Sequence, residues 1–130
     1  MTAPRPRIAF IGTGAQGSSI AADFALAGHD VTFIDQWPAH IEAIRAKGIT
    51  VNFPTRSVTV RVPALHLCEV AEIKQPFDLI VMVVKAYDTT WASHLVKPIL
   101  APDGFVIGSL CALDYRPHRV SAEKLELLTL

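Results

Sequence analysis

An α/β fold built on a mostly parallel, doubly wound sheet with flanking helices is what this sequence predicts, on three observations. Short apolar runs at residues 7–11, 31–34 and 79–84 alternate with stretches of helical periodicity. The runs are continuous rather than alternating, the pattern of strands covered on both faces. The first run also breaks into Gly12-Thr13-Gly14-Ala15-Gln16-Gly17, a glycine-rich bend that opens directly into a helix.

The elements follow in order. After the strand at residues 7–11, a helix is expected over 14–27, with Ile20, Phe24 and Ala27 as its apolar stripe and Gly28 as its stop. A second strand at 31–34 closes at Asp35. Trp37-Pro38 opens a helix over 39–47, with Ile41 and Ile44 inward and Gly48 ending it. Residues 50–53 and 57–62 alternate apolar and polar side chains around Pro54, which reads as a hairpin on the rim of the sheet. A short helical turn is expected at 69–74. The run at 79–84 should be the most deeply buried strand, ending at Lys85. Asp88 or Thr89 can N-cap a helix reaching to about residue 100, with Trp91 and Leu95 on one face and Pro98 shortening it. Pro102-Asp103-Gly104 then turns into a last strand at 105–108. Residues 1–113 thus form one domain, and 114–130 an irregular tail in which 121–130 can form a short helix through Leu125 and Leu128.

Composition narrows the function classes. Of 130 residues, 51% are hydrophobic and 18% charged, which fits a folded core and not a disordered chain. The formal net charge is zero, and Arg5 and Arg7 are the sole local basic excess, so neither nucleic acid nor an anionic membrane is an expected partner. No apolar run approaches the roughly 18 residues of a membrane span, and none precedes the first strand as a secretion signal would; a cytoplasmic protein is expected. Cys68 and Cys111 have no metal-binding or CxxC spacing and read as reduced, partly buried thiols. His29, His40, His66, His94 and His118 are scattered without an i,i+4 pair, so no metal is expected.

The glycine bend carries the chemistry. Gly12 permits a tight turn, Gly14 lets backbone approach a pyrophosphate, and Gly17 lets the helix pack close to the strand. An anion there would sit on free N–H groups at the positive end of the helix dipole, against Thr13, Ala15 and Gln16 as well as the glycines. Asp35 lies 21 residues beyond Gly14, at the end of the second strand, where a carboxylate accepts hydrogen bonds from an adenosine ribose. These features describe a Rossmann-type domain for NAD(P)H. Asp35 favours NADH over NADPH: a 2′-phosphate at about 4 Å would meet a repulsion of at most about 4 kcal/mol at an effective dielectric of 20. A second reading of Asp35 is that it caps the helix that follows Trp37. Lys85, at the carboxyl end of a buried strand, is aimed at the ligand crevice, or is a solvated strand-capping lysine.

Three stretches, IAFIGTGAQGSSIAADFALAGHDVTF (8–33), IEAIRAKGI (41–49) and FDLIVMVVKAYDT (77–89), resemble the ketopantoate reductase (2-dehydropantoate 2-reductase) family over about residues 7–110. The glycine bend is shared by many dehydrogenases; VKAYDT is the more specific stretch. The resemblance implies hydride transfer from a reduced nicotinamide to the 2-keto carbon of ketopantoate, in pantothenate biosynthesis. It also implies a site role for Lys85 beside nicotinamide and substrate, where a cation would stabilise the developing alkoxide. The β-hydroxyacid dehydrogenases are the runner-up; they share the bend but usually have methionine at the position of Gln16.

The sequence departs from that family in three places. The family commonly carries a basic residue near the end of strand two and prefers NADPH, whereas Asp35 stands here, which leaves another 2-keto acid with NADH open. Its Asn-Gly pair after the last strand is replaced by Gly108-Ser109-Leu110-Cys111-Ala112-Leu113. Its helical C-terminal domain, which supplies the main proton donor, is absent. The chain is therefore expected to be a fragment, or a gene whose frame was lost near Gly108, inactive alone and able to pair as a homodimer through the apolar surface left uncovered. A non-catalytic dinucleotide-binding module and a non-functional remnant are the alternatives.

Overall fold

Residues 4–108 are described by the structure, a computed structural model. Strands β1 (Arg7–Ile11), β2 (Asp30–Asp35), β5 (Ala64–His66), β6 (Phe77–Met82) and β7 (Leu100–Gly108) form one sheet in the order β5-β2-β1-β6-β7. Every pairing in it is parallel. Helices α1 (Ala15–Leu26) and α2 (Pro38–Lys47) lie on one face and α3 (Thr89–Val96) on the other. The doubly wound Rossmann arrangement is thus present, with its reversal of strand order between β1 and β6.

The period-two geometry of β1 explains the two cores. Ile8 and Phe10 point to the α1 side, where Phe10 meets Phe24 edge-on at 5.8 Å between ring centroids. Ala9 and Ile11 point to the other side, against Ile34, Ile80, Ala92 and Val96. Full burial of such large side chains is worth roughly 1.5–3 kcal/mol each.

Three expectations about burial need correction. Helix α1 buries Gly17, Ala21 and Ala22, whereas Ile20 is 43% exposed and Ala27 is exposed. The close approach required at Gly17 turns the small-residue face inward and carries Ile20 to the flank. Strand β6 stops at Met82 and is less buried than β1 or β2: Leu79, Val81 and Met82 are half-buried. Its α1-side face borders β7, and among the described residues no helix follows β7 to cover it. Cys68 is exposed, not partly buried.

Elsewhere the differences concern pairing. The hairpin β3 (Ile49–Asn52) and β4 (Ser57–Val60) forms its own antiparallel sheet and packs Ile49 and Val60 into the core beside α1, rather than extending the rim of the main sheet. Strand β5 had no sequence signal; three residues give too short a run to show a period, and it exists because β2 offers it an edge. The Pro102-Asp103-Gly104 turn lies inside β7 as an irregularity of register between Phe77 and Leu79 of its partner. Gly28 ends α1 as expected, at φ +81°, with the His29 N–H donating to the Phe24 carbonyl. Pro98 falls just past Val96, the end of α3. Cys111, the 109–113 stretch, the tail from 114 and the helix at 121–130 lie outside the described residues.

The orientation of α1 is open to a direct check. Ile20→Ser should cost less than about 1 kcal/mol, while Ala21→Leu, placed in a filled contact, should cost about 1–3 kcal/mol; urea unfolding of both variants reads the difference.

Candidate active site at the β1–α1 bend

The carboxyl ends of β1, β2 and β6 are tied together at one point. The Gly12 N–H donates to the Ile34 carbonyl at 2.9 Å, and the Val83 N–H donates to the Ile11 carbonyl at 2.8 Å. Gly12 has φ +94°, and a Cβ there would lie 2.5 Å from the Val83 carbonyl oxygen, so only glycine fits. A Cβ on Gly17 would fall on the carbonyl oxygen of Gly12. These two glycines serve the fold. Gly14 differs: it is exposed, its φ of −67° suits any residue, and nothing lies within 4 Å of where its Cβ would be.

Gly14 is also the N-cap of α1, without a side-chain cap. Among the described residues the N–H groups of Gly14, Ala15, Gln16 and Gly17 have no backbone acceptor, as the geometry of a helix start dictates. No acidic side chain occupies the first turn. The result is a cluster of donors without backbone acceptors at the positive end of a twelve-residue helix, with open space in front of Gly14.

Thr13 sits at the centre of a side-chain clasp and is 1% exposed. Its N–H and its hydroxyl both donate to Asp35 Oδ2, each at 2.7 Å. Asp35 Oδ1 accepts from the Trp37 N–H at 3.0 Å. The Thr13 carbonyl accepts from the Ser18 hydroxyl at 2.7 Å and from His40 Nε2 at 2.9 Å; since a carbonyl only accepts, the ring carries its proton on Nε2. Burial alone would raise the Asp35 carboxyl, but hydrogen bonds from the Thr13 hydroxyl, the Thr13 N–H and the Trp37 N–H, with His40 nearby, outweigh it and hold it below the ordinary value.

Of the sequence-predicted site residues, the bend 12–17 and Asp35 come together. Asp35 is 7% exposed, and its carboxylate faces the bend itself rather than lying open to a ribose. It also reaches the turn before α2, so the capping alternative holds in part, with Trp37 as the recipient. Lys85 is exposed, three residues beyond β6, and precedes a 3-10 turn at Ala86–Asp88. Its segment reaches the bend through Val83 and Val84, both against Gly12, and among the described residues no carboxylate pairs with it.

Sequence reasoning missed His40 and Ser18 as holders of the bend. Ser18 sits one residue after the glycine pattern; His40 is 27 residues from Thr13 and carries no local signal. Trp37 and Tyr87 are also 67% and 81% exposed just beyond β2 and β6. A shallow hollow at the opposite end of the strands, near Arg7, Asp30 and Lys74, is unrelated to this site; Arg7 and Asp30 there pair with each other at 3.4 Å. Among the described residues no helix is long and apolar enough to cross a membrane.

Comparison with known proteins agrees with this geometry. A family model described as ketopantoate reductase PanE/ApbA matches residues 8–110. A 2-dehydropantoate 2-reductase of Lactococcus lactis is 30% identical over 118 residues, covering 91% of this chain and 36% of that protein. A solved Enterococcus faecalis structure assigned as a 2-dehydropantoate 2-reductase superposes with TM-score 0.74 at 34% identity, over 83% of this chain and 34% of that one. A D-mandelate dehydrogenase solved with NADH and anilino(oxo)acetate superposes with TM-score 0.73 at 26% identity, over 84% of this chain and 34% of that one. The chain therefore spans about a third of the length of these relatives.

Two tests follow from the geometry. Gly17→Ala should destabilise the chain by about 1–3 kcal/mol because backbone must shift, while Gly14→Ala should stay within about 1 kcal/mol of wild type in chemical denaturation. The Asp35 carboxyl, depressed in the folded chain relative to its ordinary 3.8, contributes stability above that value and loses it as pH falls through the lower folded value. The stability gap between wild type and Asp35→Asn should accordingly be widest at neutral pH and shrink below about pH 4; a gap that widens on acidification would reverse the sign of this assignment.

Proposed function

Since the chain belongs to the ketopantoate reductase family, we propose that it is the nicotinamide-dinucleotide-binding portion of a reductase acting on a 2-keto acid such as ketopantoate, with residues 1–113 as the binding unit. The observation that carries the reading is the bend at Gly14. A glycine is not needed there by the fold, yet it leaves open space in front of position 14, at a helix start whose first four N–H groups have no backbone acceptor among the described residues. A pyrophosphate fits such a cluster, because several donors converge on it and the helix dipole adds to their charge.

A reduced nicotinamide, when bound, supplies the hydride. The chain's own residues do the rest of what this portion can do. Gly14, Ala15, Gln16 and Gly17 hold the diphosphate. The exposed Lys85 ammonium, on the segment beside Gly12, binds a keto oxygen and stabilises negative charge developing on it. Asp35 supplies a fixed negative charge at the end of β2, and Gln36 and Trp37 add no basic side chain to offset it. That supports NADH over NADPH through charge, even with most of the carboxylate's hydrogen bonds directed into the bend. The relative solved with NADH is in keeping with this preference.

Titration of the 130-residue chain with each reduced dinucleotide tests the reading. NADH should bind, NADPH at least about tenfold more weakly, which corresponds to 1.4 kcal/mol, and ketopantoate turnover by these residues alone should be negligible. No binding of either dinucleotide would defeat the proposal; tighter binding of NADPH would defeat the preference alone.

A further inference from the structure

A loop with three glycines among six residues is the part of a chain with most backbone freedom to lose when a ligand orders it. Here that freedom is removed by side chains. Every polar atom of Thr13 is engaged: N–H and Oγ with Asp35, and the carbonyl with Ser18 and His40. The same Asp35 carboxylate takes the Trp37 N–H, so one side chain joins the glycine bend to the turn leading into α2. Those are two walls of the crevice beyond β1 and β2. Thr13 and Asp35 are 1% and 7% exposed, so water does not compete for these bonds.

We propose that Thr13 and Asp35 are positioning residues that lock the bend into its anion-binding shape before any ligand arrives, with His40 and Ser18 as auxiliary holders. In its consequence for cofactor affinity this rests on the dinucleotide reading above; as a statement about the unliganded bend it does not. The clasp acts on the N–H groups facing a diphosphate, which NADH and NADPH share. Loosening it therefore weakens both by one common factor, since pre-ordering lowers the ordering cost of binding. Asp35's charge, by contrast, acts on their ratio. Thr13 separates the two effects, because Thr13→Val removes the hydroxyl bond and leaves that charge in place.

The test uses the full chain with Thr13→Val, Thr13→Ser and His40→Ala. Without ligand, Thr13→Val should speed amide hydrogen exchange at residue 13 and at Ser18 by about tenfold or more, the scale of losing one hydrogen bond to a charged group, with β1 and β6 amides unchanged. NADH and NADPH affinities should fall together by about the same factor, with their ratio preserved, and Thr13→Ser should restore both. His40, being exposed, can be removed without touching the core, and His40→Ala should give the same pattern more weakly; it decides the matter should Thr13→Val fail to fold. Wild-type exchange and affinity in the variants, or a changed NADH/NADPH ratio with exchange unaltered, would overturn the proposal. Faster exchange in variants of a chain that binds no dinucleotide would sustain the clasp and remove the cofactor reading instead.

Discussion

The approach of helix α1 to strand β1 is the constraint on which the remaining geometry depends. With Gly17 set against the carbonyl of Gly12, the helix must begin at once, and its first turn must stand over the carboxyl end of the sheet. That contact decides which face of α1 is inward and hence why Ala21 and Ala22, not Ile20, meet the core. It also sets the helix start, with its unpaired N–H groups, at the carboxyl end of β1, beside the point where the strand order reverses. A methyl group at position 17 would alter packing and site together.

The electrostatics of the site grow from the same arrangement. The helix start presents positive potential outward, while Asp35 behind it holds the bend from within. A buried carboxylate is tolerated here because it accepts three hydrogen bonds, one from a hydroxyl and two from backbone N–H groups. The same three bonds join the bend to the turn that leads into α2.

Much of this was legible in sequence. Residues 7–11 and 79–82 read as strands because they are continuous and apolar, and the glycine spacing marked the strand-to-helix bend. The helix stop at Gly28 was equally plain. Periodicity misled where packing overrode it. Ile20 belongs to a good apolar stripe, yet the close contact at Gly17 took the inward face. Strand β5 was invisible because three residues carry no period of their own. The hairpin was recognised from its alternation, but alternation does not say against which element the apolar side will pack.

By itself, the sequence determined the class of fold and the position of the strand-to-helix bend, since glycine spacing and apolar runs are local properties of the chain. Only the tertiary structure decided where the Asp35 carboxylate points, that His40 reaches Thr13, and that Gly14 alone of the three loop glycines leaves open space. Those are distances between residues far apart along the chain, set by packing of whole elements, and no local pattern encodes them.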